Sequence, residues 1–511
     1  MMRSQRLAWA VGVVLVVSVA SVVRLARLGA VSLDFDEYLH VVAAQQLLQS
    51  GQPRLPSGTL YTRALPYTRV VSEGFRWFGI SEASARLPSV LFGVGLVLLA
   101  GWMAWRWWGR GASLVVMLLL ALDPYCLQMS RVCRMYTFFH FLYLGVLYAL
   151  YEGLEGKYTQ WKRWMWWGLA GLGFLLALIL QKLAVDLLAG IAAYVVIQAI
   201  LTRRKTYWVP ALFGALAVVA VVVFRTSAVR QAWHEVNWAP AYAAQWRYDT
   251  RFYLRHWWAV DPYVVGLFLP SLAWWGLTDK KRAWYLGCAV LVPFLLHSFI
   301  FDWKNERYLL QIVPVMWLIA GGALAEWVRA LASWLRQSAA HGRPGALGGL
   351  APVAASLLLV PPILGMSAVP PRAGLDGTVA QWREAYQVLR PVIRPDDQLL
   401  VSVPLVSAYY LHRLPDYVLL NVLISDSGKQ ASRQADGFYH DWYTGRPLVT
   451  STEEITQVVQ QHPRGWIVVD ADRFPYDTCV LPAVRAFIMK RCRKWVMPDP
   501  SVIVYSWGVA A

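Results

Sequence analysis

Three carboxylates stand within four residues, at Asp34, Asp36 and Glu37, directly after the first long apolar run, Leu7 to Val23. A charge at the edge of a hydrophobic segment is costly to place deeper, so a cluster held there is a site candidate. The chemistry it suits is general-base catalysis, in which a carboxylate takes the proton of an attacking hydroxyl. A plainer reading accounts for two of the three. Asp34-x-x-Glu37 is also a capping box, Asp34 accepting from the Glu37 amide while Glu37 reaches back. Leu39, Val42, Ala43 and Leu47 would then share one helix face, with Gly51 and Pro53 ending the helix. Capping leaves Asp36 unexplained.

Later stretches supply cations that could face it. Arg131 and Arg134, in Ser130-Arg131-Val132-Cys133-Arg134-Met135-Tyr136, are three apart and predict one helix face at the start of an apolar run. Anions are favoured at such a helix start, and arginine holds phosphate in a bidentate way. Snorkelling to lipid headgroups is the alternative. Lys182 and Asp186 are spaced to pair along a helix. The stretch Asp302 to Tyr308 brings Lys304, Arg307 and Tyr308 to the level of Asp36.

The elements that must position these residues are membrane spans. Of 511 residues, 58% are hydrophobic and only 15% charged, where a soluble chain carries about 25% charge. Eleven apolar runs are legible: Leu7–Val23, Leu87–Trp105, Ala112–Gln128, Met135–Tyr151, Trp164–Leu180, Leu183–Leu201, Tyr207–Phe224, Val260–Leu277, Ala283–Phe301, Tyr308–Val328 and Ala346–Met366. Most approach the roughly 20 residues that a spanning helix needs. The third is short and ends in Asp123-Pro124. Only Pro270 and Pro314 are read as interrupting spans.

The net charge of +18 is concentrated in alternate short loops, which marks the cytoplasmic side and implies no nucleic-acid partner. An odd number of spans then puts Asp36 and the tail on the same outer side, as expected for a multi-pass protein of the bacterial inner membrane. The basic, apolar N-terminus reads as a retained first helix. The loop 24–86 interleaves arginines with aromatics and predicts interfacial helices in contact with membrane lipids; the tryptophan-rich loop 225–258 reads likewise.

Residues 1–369 form the predicted membrane domain and 370–511 a small α/β domain. In the latter, strands are expected at Gln398–Val403, Tyr417–Asn421 and Trp466–Val469, with a capping box at Ser451 to Glu454 opening a helix. Cys479 and Cys492 fall in this tail, either bridged in an oxidising compartment or buried as thiols. No P-loop, GxGxxG, CxxC or Cys/His metal spacing occurs.

The acidic pair Asp36-Glu37, followed by Ala85-Arg86-Leu87-Pro88, then Ser130 to Tyr136, then Glu306-Arg307-Tyr308-Leu309-Leu310 with Pro314, resembles the bacterial GT-C glycosyltransferases. The protein O-mannosyltransferase and aminoarabinose transferase branch is the nearest in pattern. The resemblance covers about the first 330 residues. It implies Asp36 as catalytic carboxylate with Glu37 beside it, and Arg134 and Arg307 on the phosphate of a polyprenyl-phosphate sugar. Asp34, Arg131, Tyr136, Lys182, Lys304 and Tyr308 join them as expected substrate contacts. Val132 stands where relatives often carry an acid, and Gln181-Lys182 where a histidine is usual, which leaves the need for a divalent metal open.

Physical chemistry supports the same class independently. A sugar on a lipid phosphate has a good leaving group, so its departure needs positive charge more than a proton. One base opposite the leaving group then suffices for inverting attack by a lipid, glycan or protein hydroxyl, whereas glycosidases need two carboxylates. The competing class is a transporter, flippase or assembly factor whose charged groove recognises lipid headgroups. Transporters place broken helices and charges near the midplane, whereas here the charges gather at the outer edge.

Overall fold

The computed structural model describes residues 2–203, 207, 249–301, 304–340, 379–420, 434–477 and 479–509. The expected spans over 208–224 and Ala346–Met366, most of the second tryptophan-rich loop, and the domain boundary at 369/370 lie outside these residues.

The other nine apolar runs fall on helices. In chain order the helices of this part of the chain, some of them outside those runs, are α1 (Met2–Leu25), α2 (Phe35–Ser50), α3 (Leu65–Phe78), α4 (Glu82–Trp108), α5 (Arg110–Leu122), α6 (Pro124–Ser130), α7 (Tyr136–Glu155), α8 (Gln160–Leu180) and α9 (Val185–Thr202). After the undescribed stretch come α10 (Phe252–Val260), α11 (Pro262–Thr278), α12 (Lys280–Leu295) and α13 (Val313–Ala340). Among the described residues six helices are long and apolar enough to cross a membrane, and seven if α5 and α6, bent by 63°, count as one broken span. The break falls at Asp123-Pro124. Pro124 has no N–H to donate, and Asp123 caps α6 by accepting from the Cys126 amide at 2.6 Å. Prolines enter more helices than expected: Pro88 and Pro293 lie inside α4 and α12, as Pro270 does in α11.

Helices α4 and α6 approach so closely that a Cβ on Gly93 would run into the Ser130 hydroxyl. That approach lets the buried Arg24 of α1 donate to Ser130 Oγ at 3.1 Å and to the Ala121 and Leu120 carbonyls at 2.7 and 3.2 Å. A buried guanidinium thus satisfies the last carbonyls of α5, which the break leaves without helical partners.

The two helices of loop 24–86 differ. Trp77 and Phe78 at the end of α3 are 77% and 67% exposed, as a lipid-facing anchor requires. By contrast α2 is enclosed, with Tyr38 to Ala44 all buried.

The tail forms α14 (Trp382–Leu389), β1 (Gln398–Val401), α15 (Val406–Tyr410), β2 (Tyr417–Leu419), β3 (Tyr439–His440), β4 (Pro447–Val449), α16 (Thr452–Gln461), β5 (Gly465–Asp470), α17 (Pro482–Arg491), β6 (Arg493–Trp495) and β7 (Val502–Trp507). The sheet order is β3-β4-β2-β1-β5-β7-β6, parallel from β4 through β5 and antiparallel at both edges. Side chains alternate between its faces. Leu400, Ile467 and Val469 join Ile455 and Val484 of α16 and α17 in a local core. Leu399, Val401, Trp466 and Val468 belong instead to the apolar core that continues into the helical bundle. Among the described residues no disulfide joins two cysteines, and Cys492 lies within the local core.

Candidate active site

The capping box forms at the start of α2: Asp34 Oδ1 accepts from the Phe35 amide at 2.6 Å, and Glu37 Oε2 accepts from the Asp34 amide at 2.8 Å. Asp36 takes no part in it. Its Oδ2 accepts from Arg307 Nη1 at 2.6 Å and lies 3.5 Å from Arg134 Nη2, while Arg134 Nη1 donates to the Asp36 carbonyl at 3.0 Å. Two guanidiniums from distant parts of the chain converge on one carboxylate oxygen. Burial alone would push the Asp36 carboxyl up, but Arg134 and Arg307, helped by Arg63, override it and hold the group well below the usual carboxylate range. The Asp36 side chain keeps 22% of its surface exposed, while that of Arg134 keeps 1%.

Each arginine is placed by an irregular piece of backbone. After the α5–α6 break, α6 stops at Ser130, and residues 131–135 turn before α7 begins. Arg134 leaves that turn toward α2, its guanidinium 5.8 Å from the ring centre of the buried Tyr136. Arg307 lies in a 3-10 turn, Glu306–Tyr308. Asn305 opens that turn and accepts from both the Arg307 amide at 3.0 Å and Nε at 3.2 Å, so one side chain fixes backbone and guanidinium together. Tyr308 is partly buried in the same turn, its ring 6.2 Å from that of His297.

Several expected contacts are occupied elsewhere. Glu37 is fully buried, and its carboxylate accepts from Arg86 Nε at 2.9 Å, Arg86 Nη2 at 2.8 Å and the Cys133 amide at 2.5 Å besides closing the cap. It is a scaffold for α2, both of its oxygens filled inside the protein, and Asp34, partly buried, is that helix's cap through Oδ1. Arg131 does not share a helix face with Arg134; its Nη1 donates to the carbonyls of Val23, Arg24 and Ala26, closing the end of α1. Lys304 is buried, and its ammonium donates to the carbonyls of His297, Ser298 and Phe301 at 2.5–2.9 Å. Those carbonyls belong to a π-helical turn, Leu296–Ile300, and the residue after it, where regular pairing fails. Lys182 opens a short 3-10 turn, and Asp186 turns to His297 Nε2 at 3.1 Å and Gln311 Nε2 at 2.9 Å.

Other residues at the site had no sequence signal of their own. Arg63, read as one interfacial anchor among many, acts on Asp36 and on His40. His40 stands one helical turn beyond Asp36; burial first, and then Arg134 and Arg63, hold it well below its ordinary value and so neutral. Its Nδ1 pairs with Thr68 Oγ1 at 2.9 Å. His40 Nε2, the Tyr61 hydroxyl and Arg134 Nε are buried with no hydrogen-bond partner among the described residues. No group of three or more His, Cys, Asp or Glu side chains converges as a metal site among the described residues.

The fold, a bundle of apolar helices with a C-terminal α/β domain, is shared with solved proteins over nearly the whole chain. The chain is similar to ArnT from Cupriavidus metallidurans bound to undecaprenyl phosphate, with 18% identity, 98% of each chain covered and a TM-score of 0.63, and to the apo form of that protein, with 17% identity, 97% of each chain and 0.60. It is also similar to the oligosaccharyltransferase AglB from Archaeoglobus fulgidus in complex with an inhibitory peptide and a dolichol-phosphate. There the identity is 12%, the TM-score 0.61, and 92% of this chain matches 70% of that one. No family model and no curated protein matches the sequence.

Proposed function

We propose that the protein is a membrane glycosyltransferase that moves a sugar from a polyprenyl-phosphate donor to an acceptor hydroxyl on the extracytoplasmic side, with inversion. The observation that carries this reading is the partly exposed carboxylate of Asp36 bracketed by Arg134 and Arg307. Paired with Asp36, the arginines hold it as a poor base. A phosphate entering between them competes for both guanidiniums, which prefer its bidentate geometry. As they turn to the phosphate, Asp36 becomes more basic, so the base is readied by the arrival of the donor.

In the transfer step Asp36 takes the acceptor's hydroxyl proton and the acceptor oxygen bonds to the anomeric carbon. The carbon–oxygen bond to phosphate breaks, and its electron pair stays on the lipid phosphate, neutralised by Arg134 and Arg307. His40 Nε2, the Tyr61 hydroxyl and Arg134 Nε are free to meet polar groups of the substrate, since buried polar groups without partners are costly unless a ligand completes them. The undecaprenyl phosphate and dolichol-phosphate seen with the two fold neighbours support a lipid-phosphate donor.

The test is purified protein in nanodiscs, incubated with a panel of polyprenyl-phosphate sugars, with release of the lipid phosphate measured. At least one donor should be turned over, and Asp36→Asn should abolish that turnover. Near-normal release by the variant would remove Asp36 from the mechanism.

A further inference from the structure

Among the described residues the C-terminal domain meets the membrane domain at the segment that leads into Asp36, at Glu82 of α4, and at Ser57, whose amide donates to the Tyr443 carbonyl at 3.2 Å. Arg383 of α14 donates from Nε to Glu82 Oε1 at 2.9 Å, from Nη2 to the Gly29 carbonyl at 2.7 Å, and from its amide to Ser32 Oγ at 3.1 Å. Tyr410 of α15 adds a hydroxyl to the same Glu82 oxygen at 3.0 Å. Just beyond, the Tyr38 ring packs against those of Tyr409 and Tyr410, with centroids 5.9 and 6.4 Å apart. The Phe35 ring meets Tyr443 edge-on at 5.9 Å and lies 5.5 Å from the Arg473 guanidinium.

From the other side the same segment is held by the membrane domain. Arg86 donates to the carbonyls of Leu28, Val31 and Ser32 at 2.8–3.0 Å as well as to Glu37. Glu82 and Arg86 are one helical turn apart at the start of α4. One helix end therefore offers an acid to the tail and a base to the catalytic segment. The stretch 29–34 is turn, bend and irregular backbone with no sheet or helix of its own to hold it, so these two arginines are its frame.

From this clamp we infer that Arg383 is a positioning residue for the Asp36 carboxylate, and that the C-terminal domain acts on transfer as the second jaw gripping residues 29–38. This inference rests on the glycosyl-transfer reading. Docking for stability alone would use the same apolar core but would leave the turnover of folded protein unchanged when Arg383 is cut back. A positioning role makes turnover sensitive, because displacing a reacting group by about 1 Å costs as much as about 100-fold in rate.

The test uses the full chain in nanodiscs with Arg383→Ala and Arg383→Lys. We expect kcat per folded protein to fall about 10- to 100-fold for Arg383→Ala and by less for Arg383→Lys, which keeps the charge and part of the hydrogen bonding. The KM values for donor and acceptor should stay unchanged. Hydrogen exchange in Arg383→Ala should quicken over residues 29–38 and not over α5. Unchanged kcat, a change confined to the acceptor KM, or unchanged exchange over 29–38 would overturn the inference. If the parent protein turns over no donor, the glycosyl-transfer reading fails by itself, and the exchange measurement still decides whether the clamp exists.

Discussion

Asp36 and Glu37 are neighbours in sequence and opposites in environment. Glu37 faces inward, sees no solvent, and has its oxygens filled by Arg86 and two backbone amides. Asp36 faces the open side and holds two arginines through a single oxygen, in contacts that a phosphate can displace. A carboxylate whose hydrogen-bonding capacity is saturated inside the protein stabilises a fold, whereas one whose partners are exchangeable is available for chemistry. The difference lies not in charge but in the capacity left over.

The largest expected effect tests that contrast directly. Asp36→Asn should cut transfer by about 10²- to 10⁴-fold per folded protein, the usual contribution of a general base, beyond the loss of stability that follows when Arg134 and Arg307 lose their charged partner. If Glu37→Gln produced the larger catalytic loss in a fully folded protein, the two roles would be reversed. Next, Arg86→Ala leaves Glu37 buried and unpaired, which should cost about 3–5 kcal/mol of stability, read from denaturant unfolding in micelles. Activity should fall further than the folded fraction, because Arg86 also holds the carbonyls of Leu28, Val31 and Ser32 ahead of Asp36.

A smaller effect is expected at the partners of Asp36. Arg134→Lys and Arg307→Lys keep the charge but lose the planar fork. Either should weaken binding of undecaprenyl phosphate by about tenfold, in line with roughly 1.5 kcal/mol for a hydrogen bond to a charged group, measured by titration. The smallest is a pH signature. With Asp36 held low by its two arginines, the acid limb of kcat/KM, which reports the free enzyme, should fall below about pH 3.9, the ordinary aspartate value. The acid limb of kcat, which reports the donor complex, should lie above that of kcat/KM because the arginines have turned to phosphate. Coincident limbs would break the proposed exchange. The sign for stability follows the same depression. The Asp36 pairs contribute above the unfolded value and are lost as pH falls through the lower folded one, so Asp36→Asn should flatten that loss.

Periodicity and composition determine a great deal of this protein. The apolar runs marked every described long helix, the Ser451 to Glu454 box opened α16 where expected, and the strands at Gln398, Tyr417 and Trp466 formed within two residues of their expected bounds. These are local properties, set by hydrophobic length, capping chemistry and alternation along a few consecutive residues. The acidic cluster, and Arg134 and Arg307 as its counterparts, were legible as well, because residue type and common level along the spans suffice to nominate them.

Which arginine meets which acid was settled only by the tertiary structure. Arg86, Arg131, Arg134 and Arg307 are alike in sequence, yet one grips Glu37, one closes α1 and two converge on Asp36. Lys304 was nominated by its level with Asp36 and Lys182 by its spacing to Asp186, and a π-helical turn whose carbonyls needed a donor captured the first. A guanidinium or ammonium on a flexible stem goes wherever the most unsatisfied acceptors lie within its reach. That location depends on helix breaks, turns and a docked second domain far away in the chain, and these are not written in the residues flanking the cation.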